Sequence, residues 1–203
     1  MVEFVVGWFA AFGAGAQSAG PAELVAVALG LAYIVLAIRQ HRACWIAGGA
    51  STAIYIAVFL KAGLFLQAGL QVVYVAMSVY GWMAWRAGSD LAARPHSWPL
   101  SKHLLAMLAV FLATALSAPL LAHYTNSPAP LADSLGTWAS IVATWLLARR
   151  YLETWFWWMI IDSGLAALFA NQGLVFPAGL YLAFAVLAIA GWHAWRRDLL
   201  TPA

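Results

Sequence analysis

Seven apolar runs, near residues 22–38, 44–60, 64–85, 103–122, 131–148, 153–170 and 173–195, fill most of the sequence, with short polar breaks between them. A helix rising 1.5 Å per residue needs about 20 mostly apolar residues to cross a hydrocarbon core, with roughly 17 to 25 the usual range. Each run meets that length, so the pattern predicts seven transmembrane helices. An eighth apolar stretch, "MVEFVVGWFAAFGAGA" at the start, is shorter and rich in glycine. It suits an interfacial helix or an uncleaved leader. With Glu3 and no Lys or Arg ahead of its apolar core, it makes a poor signal peptide. Only residues 86–102, "RAGSDLAARPHSWPLSK", have the Pro, Gly and charge content of a linker. No room is left for a separate soluble domain.

Laying residue i on residue i+110 without a gap reveals an internal repeat. "GLFLQAGLQVVYVAMSVYGWMAWR" (63–86) lies on "GLVFPAGLYLAFAVLAIAGWHAWR" (173–196) with ten identities in 24 positions, among them Gly81/Gly191, Trp82/Trp192, Trp85/Trp195 and Arg86/Arg196. The same offset pairs Trp45 with Trp155, Arg39 with Arg149 and Glu23 with Asp133. Because one helix lies between the two three-helix units, the second unit starts four spans after the first and has the same orientation. The expected fold is thus an all-α integral membrane protein of seven transmembrane helices in a 3+1+3 parallel repeat. Residues 22–86 form the first repeat, 87–130 a linker with the connecting helix, 131–197 the second repeat, and 1–21 and 198–203 the flanking segments. Transporters use such repeats and hold substrate near the midplane between the halves. Duplicated membrane scaffolds also serve enzymes and assembly proteins.

Composition agrees with the pattern. Of 203 residues 65% are hydrophobic and 8% charged, against roughly 25% charged in soluble domains. The net charge of +3 is spread over loops and makes no nucleic-acid patch. Arg39, Arg42, Arg86, Arg94, Lys102, Arg149, Arg150, Arg196 and Arg197 fall on one set of loop ends, and Lys61 alone falls on the other. That bias puts the nine on the cytoplasmic side of the membrane, the C-terminus with them, and the start of the first helix outside. Cys44 is the single cysteine, so no intramolecular disulfide or thiolate cluster forms. The five histidines lie in loops or near helix ends, none spaced i, i+4, and no GxxxxGK[ST] loop occurs. No metal site or cofactor is expected, and an enzyme reading has little to rest on.

Candidate chemistry centres on "WFWWMIID", residues 155–162. At 100° per residue, Trp155, Trp158, Asp162, Ala166 and Phe169 share a stripe about 80° wide, while Trp157 points the other way, toward lipid or a neighbouring helix. Asp162 lies near mid-span, where an ionised aspartate costs roughly 2.5–3.5 kcal/mol, so it must face the bundle interior or a wet cavity. Glu23, Asp133 and Glu153 come at helix ends instead. Indoles leading to a carboxylate suit a flat cationic aromatic ring, through stacking, cation–π attraction and charge neutralisation. The plainer readings are a belt tryptophan for Trp155 and a paired structural aspartate for Asp162. On the third helix Gln71, Tyr74, Ser78, Trp82 and Trp85 share one face, which the repeat carries onto Tyr181, Phe184, Ala188, Trp192 and Trp195. Gln71, Tyr74, Ser78 and Tyr181 are hydrogen-bonding candidates. Trp82, Trp85, Trp192 and Trp195, next to Arg86, Arg196 and Arg197, read as cytoplasmic belt anchors.

"YGWMAWR", "RRYLETWFWWMIID" with its W-x-x-W, and "AGWHAWRR" resemble the PnuC-type vitamin transporters, best known for nicotinamide riboside. The resemblance spans roughly residues 22–197. It implies a fold analogous to the SWEET sugar carriers, alternating access, and facilitated diffusion of an unphosphorylated vitamin precursor. A cytoplasmic kinase would trap the cargo without implied direct binding, and a homo-oligomer is compatible with the family. By position, the family's ligand contacts fall on Trp155, Trp158, Gln71 and Tyr181. Nicotinamide riboside members tend to carry asparagine where this chain has Asp162 and Ser78. A carboxylate for an amide removes two donors and adds a charge, which brings thiamine, a permanent cation, into view as an alternative and fits neutral riboflavin less well. A non-transporting scaffold would explain the repeat but not Asp162 with its tryptophans. The loop-charge bias makes one direct prediction: a reporter fused after Ala203 is active only on the cytoplasmic side. Activity on the outer side would overturn both the span count and the repeat orientation.

Overall fold

The computed structural model describes residues 20–61, 65–86, 94–125 and 129–201. Among the described residues seven helices follow one another: α1 Pro21–Ile38, α2 Cys44–Lys61, α3 Phe65–Ala84, α4 Leu100–Tyr124, α5 Pro130–Ala148, α6 Thr154–Asn171 and α7 Val175–Leu200. The apolar start and residues 87–93 of the expected linker lie outside the described residues. Helices α1, α2, α4, α5 and α7 are long and apolar enough to cross a membrane. Helix α6, at 18 residues, has the length as well, but its three tryptophans and Asp162 lower its hydropathy. Trp155, Trp158 and Asp162 face an internal cavity rather than lipid.

The 110-residue offset recurs in the packing. Helix α1 packs on α2 and α2 on α3, while α5 packs on α6 and α6 on α7; across the middle, α3 meets α5 and α7 meets α1. Both first helices of these sets begin with proline in the first turn, where the missing N–H costs nothing, and each has an acid there, Glu23 or Asp133. Both end alike. Gln40 N–H donates to Ala37 O and His41 N–H to Leu36 O, each at 2.9 Å; Arg150 N–H donates to Leu147 O and Tyr151 N–H to Leu146 O, also at 2.9 Å. These are paired Schellman caps, with Gln40 at φ 54° and Arg150 at φ 57°. Glycine would suit that backbone better. The side chains explain why it is absent: Arg150 Nη1 donates to Gln40 Oε1 at 2.9 Å, joining the two caps across the halves.

Tryptophan occupies the space between. The Trp45 ring lies on Gly81 and the Trp155 ring on Gly191, so closely that an added Cβ would stand 2.2 Å and 2.4 Å from ring carbons. Edge-on contacts join Trp45 to Trp85 (5.5 Å) and Trp155 to Trp195 (5.4 Å), and Trp85 and Trp195 lie 6.2 Å apart. Sequence position reads Trp85 and Trp195 as belt anchors; the structure buries them at 3% and 0% exposure. Their N–H groups make this affordable. Trp85 Nε1 donates to Ala148 O at 3.0 Å, and Trp195 Nε1 donates to Ala37 O and Ile38 O at 3.1 and 3.2 Å. Ala148 O closes α5, where no further helical N–H follows to bond it, and Ala37 O and Ile38 O close α1, with Ala37 O also accepting from Gln40 N–H in the cap. Trp82 and Trp192 are half-buried at the edge of this core, and the Arg42 guanidinium lies 3.4 Å from the Trp82 ring centroid.

Helix α4 starts at Leu100, three residues before the sequence places it, because the chain ahead is docked rather than loose. His96 N–H donates to Arg150 O at 3.1 Å and Leu152 N–H to His96 O at 2.9 Å. The Glu153 carboxylate accepts from the Ser97 hydroxyl and, at 3.0 Å, from Trp98 N–H. Trp157 turns away from the Asp162 stripe onto α4, its Nε1 donating to His103 Nδ1 at 3.2 Å. Elsewhere α4 packs on α5 and exposes a row of leucines, such as Leu105 and Leu116.

The tryptophan–glycine contacts generate a stability prediction. Gly81→Ala or Gly191→Ala forces a methyl into a buried ring with little freedom to move, costing about 1–3 kcal/mol or more. Each is expected to lower the thermal unfolding midpoint in detergent. Gly69→Ala, with nothing within 4 Å of the new methyl, is expected to leave it unchanged or raise it through helix propensity.

Candidate functional site

Above the tryptophan layer the two halves enclose a cavity of about 520 Å³. Helix α6 supplies Trp155, Trp158 and Asp162; α3 supplies Gln71, Tyr74 and Ser78; α7 supplies Tyr181. All seven candidate residues therefore line one space. On α6 the facing stripe is turned slightly from the expected one, with Leu165 in place of Ala166 before Phe169. On α3 and α7 only the first three positions of each predicted face reach the cavity, since the tryptophans below them form its floor.

Asp162 is 4% exposed. Among the described residues its carboxylate has no hydrogen-bond partner, and it faces the cavity. A buried acceptor left this way is costly unless something within the cavity answers it. Around it, Tyr181 stacks on Phe169 at 5.4 Å between centroids and meets Phe184 edge-on at 5.9 Å. The Ser78 hydroxyl donates to Tyr74 O at 2.9 Å, so its lone pairs remain to accept from a ligand. Tyr74 lies within side-chain hydrogen-bond reach of Ser140 on α5.

Sequence reasoning missed Ser140 and Thr144, one turn apart on the cavity side of α5, and Ser51, Thr52 and Tyr55 on α2. Their i, i+4 and i, i+3 or i+4 spacing was the available signal. It also missed Glu23, whose place in the first turn of α1 looks like an ordinary dipole complement.

Below the floor, Arg150 is buried at 8% exposure with its guanidinium 4.2 Å from the Trp85 ring centroid. Burial lowers its pKa from the ordinary arginine value. Neighbouring Arg149 is pushed the other way by a hydrogen bond with Tyr80. Among the described residues, no three His, Cys, Asp or Glu side chains group where a metal ion could be held.

Residues 20–197 match the family model described as nicotinamide mononucleotide transporter. The chain belongs to this family. Relatives include the nicotinamide riboside transporter PnuC of Escherichia coli (strain K12), 27% identical over 210 residues, covering 90% of this chain and 88% of that protein. The riboflavin/roseoflavin transporter RibM of Streptomyces davaonensis is 31% identical over 188 residues, covering 87% and 86% respectively. The crystal structure of the vitamin B3 transporter PnuC has the same fold, with a TM-score of 0.71 at 21% identity over 96% of this chain and 91% of that one. As a member of the nicotinamide mononucleotide transporter family, the protein is a multi-pass membrane transporter and not an enzyme.

Proposed function

We propose that the protein moves an unphosphorylated, cationic aromatic vitamin or vitamin precursor across a bacterial inner membrane by facilitated diffusion between two parallel three-helix repeats. Nicotinamide riboside is the first candidate, in line with the name of the Escherichia coli relative. The observation that carries the reading is Asp162: a buried carboxylate with no hydrogen-bond partner among the described residues, in the same cavity as Trp155 and Trp158. A planar cation answers both features at once, the ring by stacking on indole and the charge by neutralising the carboxylate. Gln71, Tyr74, Ser78 and Tyr181 then supply the hydrogen bonds that fix its orientation.

Asp162 equally favours thiamine, whose thiazolium is permanently charged and whose aminopyrimidine donates to a carboxylate. The RibM relative brings riboflavin into the comparison. A neutral flavin would leave the carboxylate without a counter-charge. Titrating purified protein with nicotinamide riboside, thiamine and riboflavin, followed by tryptophan fluorescence, separates the three; binding of riboflavin alone would overturn the cationic reading.

Trp158→Ala is expected to weaken binding more than Trp157→Ala, by the roughly 0.5–2 kcal/mol of a cation–π contact or more, because Trp157 is spent on His103. Asp162→Asn keeps the shape and removes the charge. It is expected to cost a cationic ligand affinity, shift preference from thiamine toward nicotinamide riboside, and leave the fold intact or more stable. Unchanged binding of every ligand would make the carboxylate structural.

Facilitated diffusion also predicts the direction of flux. Transport in liposomes is expected to be bidirectional, with net accumulation only when a kinase inside phosphorylates the cargo. Concentrative uptake into kinase-free vesicles without an ion gradient would rule this out.

A further inference from the structure

The cavity holds a second carboxylate. Glu23 and Asp162 both line it, and among the described residues that line it none is a lysine, arginine or histidine. Their heights differ. Ile38, which ends α1, and Trp155, near the start of α6, both touch Trp195, so the two helices can be measured from one level. Glu23 lies about four turns above Ile38 and Asp162 about two turns above Thr154, which separates them by about 10 Å along the cavity. Tyr55 and Phe59, ring-stacked at 5.6 Å, line the wall toward the same end as Glu23.

The repeat makes this arrangement informative. The counterpart of Glu23 is Asp133, which is not among the residues lining the cavity; the counterpart of Asp162 is Thr52, whose hydroxyl donates to Gly48 O and Gly49 O at 3.0 Å. Each half thus contributes one carboxylate, at different depths, where strict symmetry would have put both at one level. Each carboxylate comes with aromatic surface, Tyr55 and Phe59 above, Trp158 below.

We propose that Glu23, Tyr55 and Phe59 form an outer capture subsite for cationic aromatic substrates, from which the cation passes to the inner site at Asp162. The proposal rests on the cavity being the substrate site, as read above. A charge between low-dielectric walls focuses its field and raises the encounter rate of an opposite charge by 10- to 10³-fold, an effect that falls with ionic strength. Glu23 therefore sets how fast a cation is taken up from dilute solution, and Asp162 how tightly it is then held.

The test uses the full chain in liposomes and measures initial uptake of thiamine, nicotinamide riboside and riboflavin well below saturation, at low and high ionic strength. For the parent, uptake of the cations is expected to fall with added salt. Glu23→Gln is expected to slow cation uptake about tenfold at low salt and flatten its salt dependence, lowering the cation-to-riboflavin ratio wherever riboflavin is carried. Glu23→Asp, which keeps the charge, is expected to restore most of the salt-dependent rate. The subsite is refuted if parent uptake is insensitive to salt, if Glu23→Gln keeps the parental salt dependence, or if Glu23→Asp fails as Glu23→Gln does. A parent that binds no cation in the fluorescence titration removes the underlying substrate reading, and this proposal with it. A parent that binds cations but gives any of the three refuting results removes the outer subsite alone.

Discussion

Two tryptophan N–H groups, exchanged between the halves, hold the molecule together at its centre. Trp85 of the first half donates to the end of α5, and Trp195 of the second half donates to the end of α1. A helix end inside a membrane protein presents carbonyls that no helical N–H can satisfy and no bulk water reaches. Here each half closes the other's helix. The exchange brings Trp85 and Trp195 together on the central axis, lets Arg150 reach Gln40 below them, and leaves the cavity above with a solid floor.

The floor is not fully satisfied. Trp45 Nε1 and Trp155 Nε1 are both buried without a hydrogen-bond partner among the described residues. The rings sit where they do because Gly81 and Gly191 offer a flat surface, and that contact, not hydrogen bonding, fixes their orientation. An unsatisfied buried donor costs about 1–3 kcal/mol. Carried twice, at equivalent places in the two halves, this penalty bears on the closed tryptophan layer.

The offset of 110 residues, the order of the helices and the spacing along the α6 stripe could be read from the sequence because they rest on periodicity, and periodicity survives without coordinates; the start of α4 and the end of α7 could not. Nor could Trp85 and Trp195. A tryptophan just before an arginine at the end of an apolar run looks the same whether it turns outward to the headgroups or inward to a neighbouring carbonyl, and the deciding partners, Ala148, Ala37 and Ile38, are far away in the chain. Glu23 was hidden for a related reason. An acid in a first turn has a sufficient local explanation, and only the approach of α2 and α7 to α1 turns it into part of a cavity wall. Leu165 replaced Ala166 in the stripe because a wheel fixes the spacing of a face but not its rotation against neighbours.

Two sets of three helices with matching caps and tryptophan–glycine contacts build a near-symmetric frame, yet a small vitamin has no such symmetry. The frame keeps its equivalences where packing and capping demand them: Trp45 with Trp155, Gly81 with Gly191, Gln40 with Arg150. It abandons them along the cavity, where the 110-residue offset pairs Gln71 with Tyr181, Tyr74 with Phe184, Ser78 with Ala188 and Thr52 with Asp162. Substitutions at the first, second and fourth of these pairs change polarity without touching the tryptophan floor or the crossed hydrogen bonds beneath it, whereas Ala188 of the third packs within the tryptophan cluster itself. Selectivity can therefore drift among chemically different vitamins while the fold stays put, which is consistent with riboside and flavin carriers both standing among this chain's relatives.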